Sequence, residues 1–307
     1  MRFNPKADIS GGRVRDAGGG SGGGSPMRIP IPGGTRAGGG IAGVVIVILF
    51  IVLTQCMGGE LPGPGGGAAP QGRSQPDGID AGDDRYASCQ SGADANENAD
   101  CARLGVAVSL EDYWASELPE QAGVGFQPST INTFAGGIRT GCGQASSQVG
   151  PFYCPADQEI YLDTSFFADV LERQLGGQGG DFVEPYVLAH EYGHHIQNLM
   201  GTMGKVRTQQ GPSSDAVRLE LQADCYAGMW TRYASDSDLL TLDQADIEEA
   251  LDAAKTVGDD RIQEASGQRA NPEGWTHGSS AQRMAWFTRG YDSGDLGECD
   301  TFSASRL

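Results

Sequence analysis

The stretch His190-Glu191-Tyr192-Gly193-His194 constrains this chain more than any other part of it. It is an HExxH pattern inside the apolar-rich segment from Phe182 to Leu199, and its spacing has a direct meaning on a helix. Residues four apart are separated by about 40° around the axis, so His190 and His194 present both imidazoles on one side, one turn apart. Glu191 sits about 100° from His190, near enough to reach a water on a metal yet off the ligand row, which suits a general base. The competing reading is a helix with scattered histidines. Against it, the chain has only 4 His, and three of them cluster around this one Glu. His195 falls about 140° from His190 and is expected outside the site.

The N-terminal quarter has a different character. Residues 1–36 are rich in Gly, Arg and Ser, the composition of a disordered basic tail. No charge occurs from Ala37 to Gly59, and Ile41 to Leu53 is apolar apart from Gly43, so 37–57 is predicted to be a single transmembrane helix. Six basic and two acidic residues precede this run, against 15 basic and 38 acidic after it. That asymmetry predicts a cell-membrane protein crossing once, with a cytoplasmic N-terminus and an extracytoplasmic catalytic domain. A cleaved signal peptide and a lipoprotein site at Cys56 are the alternatives; the long region before the apolar run and Gln55 fit them poorly. Residues 58–85 read as a Gly/Pro-rich linker, and 86–307 as the folded domain.

Six cysteines follow Cys56, none of them in a CxxC pair, which disfavours zinc-ribbon and thioredoxin-like readings. An even number in an exported domain points to three disulfides. Local closure favours Cys89 with Cys101 and Cys142 with Cys154, leaving Cys225 for Cys299, out of the 15 pairings open to six cysteines. The formal net charge of -19 argues against a nucleic-acid partner, since no basic patch is evident.

Periodicity predicts a helix through Val106, Leu110, Tyr113, Trp114 and Leu118, stopped by Pro119. Strands are expected at 130–134 and 159–162 and a helix over 165–175. Asp181 and Glu184 would form a capping box for the HExxH helix. Ser213 or Ser214 caps the next helix, whose small residues Ala223, Ala227 and Gly228 permit a close neighbour. Helices at 242–257, capped by Thr241, and 280–289, ended by Gly290, complete an α+β domain with a small sheet and several helices.

Two His leave a catalytic zinc site short of a ligand, since three protein groups are usual. A metzincin pattern would need Gly and His where the chain has Gln197 and Met200. Glu220 and Asp224, four apart on one helix face, offer a carboxylate ligand and a second acid able to hold a ligand His by its other nitrogen. Asp224 as the direct ligand is the alternative, and a solvated acidic face the bland one.

With Gly150-Pro151-Phe152-Tyr153-Cys154-Pro155, the HEYGHH helix, Leu219-Glu220-Leu221-Gln222-Ala223-Asp224-Cys225 and Thr276-His277-Gly278-Ser279-Ser280 before Gln282-Arg283, the chain resembles the bacterial neutral zinc metallopeptidase family over about residues 86 to 300. The resemblance implies a zincin-like fold with His190, His194 and Glu220 on one catalytic Zn2+ ion. Glu191 is then the base, and His277 is a candidate donor to the developing oxyanion, with a merely structural His277 as the alternative and Arg283 a weaker candidate. A peptide or protein substrate is expected, adding as a strand to an edge at Glu159 to Leu162. Two functions compete: a membrane-anchored zinc peptidase, and a non-catalytic zinc-stabilised cell-envelope binding module. Glu191 favours the first.

Overall fold

The computed structural model describes residues 1–18, 85–146 and 149–307. Strands β1 (Arg2–Phe3) and β2 (Val14–Asp16) come first, followed by helices α1 (Gly92–Glu97) and α2 (Ala99–Ala122). Next are β3 (Ile131–Phe134), β4 (Gly137–Thr140), β5 (Gly143–Ser146), β6 (Phe152–Cys154) and β7 (Glu159–Asp163). The C-terminal half holds α3 (Val183–Leu199), α4 (Asp215–Ala234), β8 (Leu240–Thr241), α5 (Gln244–Thr256), α6 (Asp259–Ala265) and α7 (Ser280–Ser293). The α+β expectation holds.

The central sheet is mixed, in the order β2-β3-β7-β6, with β2, β3 and β7 parallel and β6 antiparallel to β7. Every residue of β3 is buried, which is why Ile, Thr and Phe predominate there without a polar face. β7 lies between β3 and β6, so the free edge expected at Glu159 to Leu162 does not exist; the edge strands are β2 and β6.

Residues 1–18 are the main departure from expectation. Instead of a disordered tail they form two paired strands: Arg2 and Phe3 with Thr241 and Leu240 of β8, and Val14 to Asp16 with Ile131 to Thr133 of β3. Phe3 is 2% exposed and Ile9 0%. The Phe3 ring lies on α2 at Gly105, where an added Cβ would stand 2.5 Å from it. That contact explains a glycine inside a helix, a position that otherwise costs about 1 kcal/mol against Ala. The Met1 amino group pairs with Asp181 at 2.9 Å and with buried Asp246 at 2.5 Å.

This packing corrects the membrane assignment. The span expected at 37–57 lies outside the described residues, and among the described residues no helix is long and apolar enough to cross a membrane. Residues 1–18 share a core with 85–307, so both segments sit on one side of any bilayer. A single crossing between them would put them on opposite faces. The single-pass anchor, the cytoplasmic N-terminus with an extracytoplasmic domain, and the membrane as a partner are therefore set aside.

Other boundaries move for local reasons. Pro119 lies within the last turn of α2 without stopping it, and the helix ends at Gly123 in the left-handed conformation (φ 66). The stretch after Ser165 forms a short π-helix, Phe167–Glu172. Asp181 and Glu184 build no capping box, because Asp181 takes the Met1 amino group and Glu184 pairs with Arg103. Asp243, with Asp246 at the box position, caps α5 in place of Thr241. Gly290 does not end α7, which runs on to Ser293 and is capped by Gly294; Gly290 lies against the Cys225 backbone of α4. All three expected disulfides are formed, Cys89–Cys101, Cys142–Cys154 and Cys225–Cys299.

If the N-terminal segment belongs to the core, Phe3→Ala should destabilise the protein by about 3–5 kcal/mol, the usual result of truncating a buried Phe. Denaturant unfolding measures this, and an unchanged midpoint would detach residues 1–18 from the domain.

Candidate metal centre

Helices α3 and α4 carry the candidate ligands, and a glycine decides how near they come. Gly193, between the two histidines of HExxH, faces Ala223, and a Cβ at 193 would stand 3.1 Å from both the Ala223 Cα and its carbonyl oxygen. The small pair lets the helices touch at backbone level one residue from His194 and one from Asp224. Gly228 does the same between α4 and α7, against Phe287 and Tyr291.

This approach brings His190, His194 and Glu220 together. One ligand atom from each lies within 4.8 Å of the others, and all three residues are buried. Glu220 Oε2 is 3.2 Å from His190 Nε2, and its Oε1 is 3.6 Å from His194 Nε2. Two imidazoles and a carboxylate are the donor set of a hydrolytic zinc site, and three protein ligands leave a position for water. The far nitrogen of each ring is engaged elsewhere, so each Nε2 is left to face the centre. His190 Nδ1 bonds Asp224 Oδ1 at 2.8 Å, and His194 Nδ1 bonds Gln197 Oε1 at 2.9 Å.

Asp224 is fully occupied behind His190. Its Oδ1 also accepts from the Tyr186 hydroxyl (2.7 Å) and from Arg283 Nη2 (2.9 Å), and its Oδ2 accepts from Arg283 Nε (2.8 Å). This geometry sets its carboxylate behind the His190 ring, and it pairs Arg283 with Asp224. Burial works against the Asp224 carboxylate, but Arg283 and His190 outweigh it and hold the group at about 2. Burial likewise opposes a charged His190 ring, yet Asp224 and Glu220 lift it to about 9. A metal binding there would displace that proton.

Glu191 is buried beside the cluster. Burial pushes its carboxyl upward against the pull of His194, His190 and, more weakly, the backbone amide of Tyr153 on β6. His277 is also buried, on the loop between α6 and α7. Burial lowers its ring, but Glu220 and Asp259 raise it more, so the candidate ligand Glu220 is its leading electrostatic partner. Asp259 had no signal in the sequence beyond being one of 40 acidic residues. Its Oδ2 accepts the N–H groups of Thr276, His277 and Gly278 at 2.7, 2.7 and 3.0 Å, and its Oδ1 lies 3.5 Å from His277 Nδ1. His195 points away, toward the Tyr153 hydroxyl (3.1 Å) and the Gln127 carbonyl (2.6 Å). A second acidic group, Asp181, Asp246 and Glu249, is met by the protein's own donors, the Met1 amino group and the Phe182 N–H.

Comparison with known proteins agrees with this centre. Residues 4–302 match the family described as "Putative neutral zinc metallopeptidase". The chain is 48% identical over 253 residues to the uncharacterised protein Rv2575 of Mycobacterium tuberculosis, covering 80% of this chain and 84% of that one. It is 44% identical over 206 residues to the uncharacterised protein YpfJ of Escherichia coli, covering 65% and 70%. No solved structure matches it.

The two acids on α4 should separate on substitution. Glu220→Ala should abolish stoichiometric zinc binding, whereas Asp224→Ala should weaken it about 10- to 100-fold. The second change should also destabilise the fold by about 3–5 kcal/mol, because it strands Arg283 as a buried unpaired charge. Competition titration with a zinc chelator distinguishes the two; unchanged affinity in Glu220→Ala would remove it from the centre.

Proposed function

Since the chain belongs to the neutral zinc metallopeptidase family, we propose that it hydrolyses peptide bonds at the His190, His194 and Glu220 centre, with Glu191 as general base. The observation that carries this reading is the position of Glu191. It is a buried carboxylate on the helix that supplies two ligands, turned off the ligand row, and electrostatically coupled to His190, His194 and Glu220.

A zinc ion held by the three ligands supplies Lewis-acid polarisation of a carbonyl and acidifies water near neutral pH. Glu191 takes the water's proton and returns it to the leaving amine, so one carboxylate serves as base and then as acid. His277, buried and raised by the charge of Glu220, donates toward the substrate oxygen that gains negative charge. Asp259 orients the loop that presents it, by accepting three successive backbone N–H groups. A non-catalytic zinc module would leave Glu191 without a role.

Glu191→Gln keeps the size and a hydrogen-bonding amide but cannot accept a proton at neutral pH. The variant should bind one zinc and unfold like the wild type, while cleavage of a peptide identified from a mixed library falls by at least ~10²- to 10⁴-fold. Cleavage at the wild-type rate would exclude Glu191 as the base. A wild-type zinc form that cuts no peptide would overturn the peptidase reading itself.

A further inference from the structure

Gln197 lies one turn after the HExxH motif and is 0% exposed. A buried amide must have its oxygen and nitrogen the right way round, because each half needs a complementary partner. Here the surroundings decide the orientation. Gln197 Nε2 faces two acceptors, the Leu219 carbonyl at 2.7 Å and Gln222 Oε1 at 3.1 Å. Gln222 is oriented in its turn, since its Nε2 donates to the Cys299 carbonyl at 3.0 Å. Turning either amide over would set oxygen against a backbone carbonyl, which is an acceptor only. Gln197 Oε1 is thereby left facing His194 Nδ1 at 2.9 Å, and only an N–H at Nδ1 satisfies that contact. The proton on Nδ1 leaves the lone pair on Nε2, the nitrogen nearer Glu220.

We infer that Gln197, aligned by Gln222, is a positioning residue for the metal centre: it fixes His194 in the Nδ1–H form before any metal arrives, so that Nε2 is ready to coordinate. The inference rests on the reading of His194 as a ligand. It adds that the two ligand histidines are held by different chemistries. His190 leans on an anion, Asp224, whereas His194 leans on a neutral amide. The same amide also spans the two helices, joining the His194 ring on α3 to the carbonyl of the residue before Glu220 on α4. It therefore fixes the distance between ligands as well as the tautomer.

The first test needs no variant and no metal. Long-range nitrogen-edited NMR of the metal-free wild-type protein, at a pH where the ring is neutral, should show His194 as the Nδ1–H tautomer; the Nε2–H form would overturn the inference. The second uses Gln197→Met, close in volume but with a thioether that is only a weak acceptor for the His194 N–H. With the disulfides and helix content retained, its His194 should move toward the Nε2–H form. Zinc affinity by chelator competition should fall about 10- to 100-fold, as losses behind a ligand do. Unchanged zinc affinity in Gln197→Met would also overturn it. Wild-type protein that fails to bind zinc would instead defeat the reading of the centre, and the metal-free tautomer measurement keeps the two failures apart.

Discussion

The contact of α3 with α4 at Gly193 and Ala223 is the constraint on which the rest depends. A zinc centre made from an HExxH helix and a carboxylate on another helix requires the two backbones to approach until Glu220 reaches both imidazoles. Helix axes normally stay 8–10 Å apart according to the side chains between them, and only small residues bring them to the near end of that range. Gly193 thus belongs to the metal site without touching metal. Beyond it, Gly228 and Gly290 let α7 settle equally close on α4, which brings Arg283 to Asp224. The Cys225–Cys299 disulfide then ties α4 to the chain after α7.

Close packing creates an electrostatic problem that the fold solves by pairing. Glu191, Glu220, Asp224, His190, His194 and Arg283 are all buried within a few turns of two helices and the start of a third. An isolated buried charge is costly, so each must meet an opposite charge or a hydrogen-bond donor. Arg283 supplies two N–H groups to Asp224, Tyr186 a third donor, and His190 a fourth. Glu220 keeps its charge because His194, His277 and His190 outweigh its burial. In the absence of metal that cluster of histidines is its main support. A divalent cation would take over that part, which links filling of the site to stability.

The N-terminal segment shows how far the core reaches. β2 extends the sheet beyond β3, and Phe3 fills a notch that Gly105 leaves open on α2. The Met1 amino group and Arg103 take up Asp181 and Glu184 at the start of α3. The N-terminus of the metal-bearing helix is consequently braced by residues more than 80 positions away in sequence. This long-range brace replaces the local capping box that the sequence offers at the same two acids.

What could be read from the sequence alone was whatever depends on short spacing. Residues four apart share a helix face wherever the helix lies, so His190 with His194 and Glu220 with Asp224 were legible as two halves of a site. Cysteines 12 apart close small loops in almost any fold, and setting two such pairs aside leaves Cys225 for Cys299. What tertiary structure alone decided depends on contacts between distant segments. A glycine reads alike as a helix stop or as a helix contact, and only the presence of α4 makes Gly290 the second. A Gly- and Arg-rich start carries too few apolar residues to announce a strand, yet Phe3 and Ile9 suffice once α2 and β3 provide surfaces for them. Gln197 and Asp259 were invisible for the same reason: an amide or a carboxylate acquires its role from the donors and acceptors around it, and those come from other helices and loops.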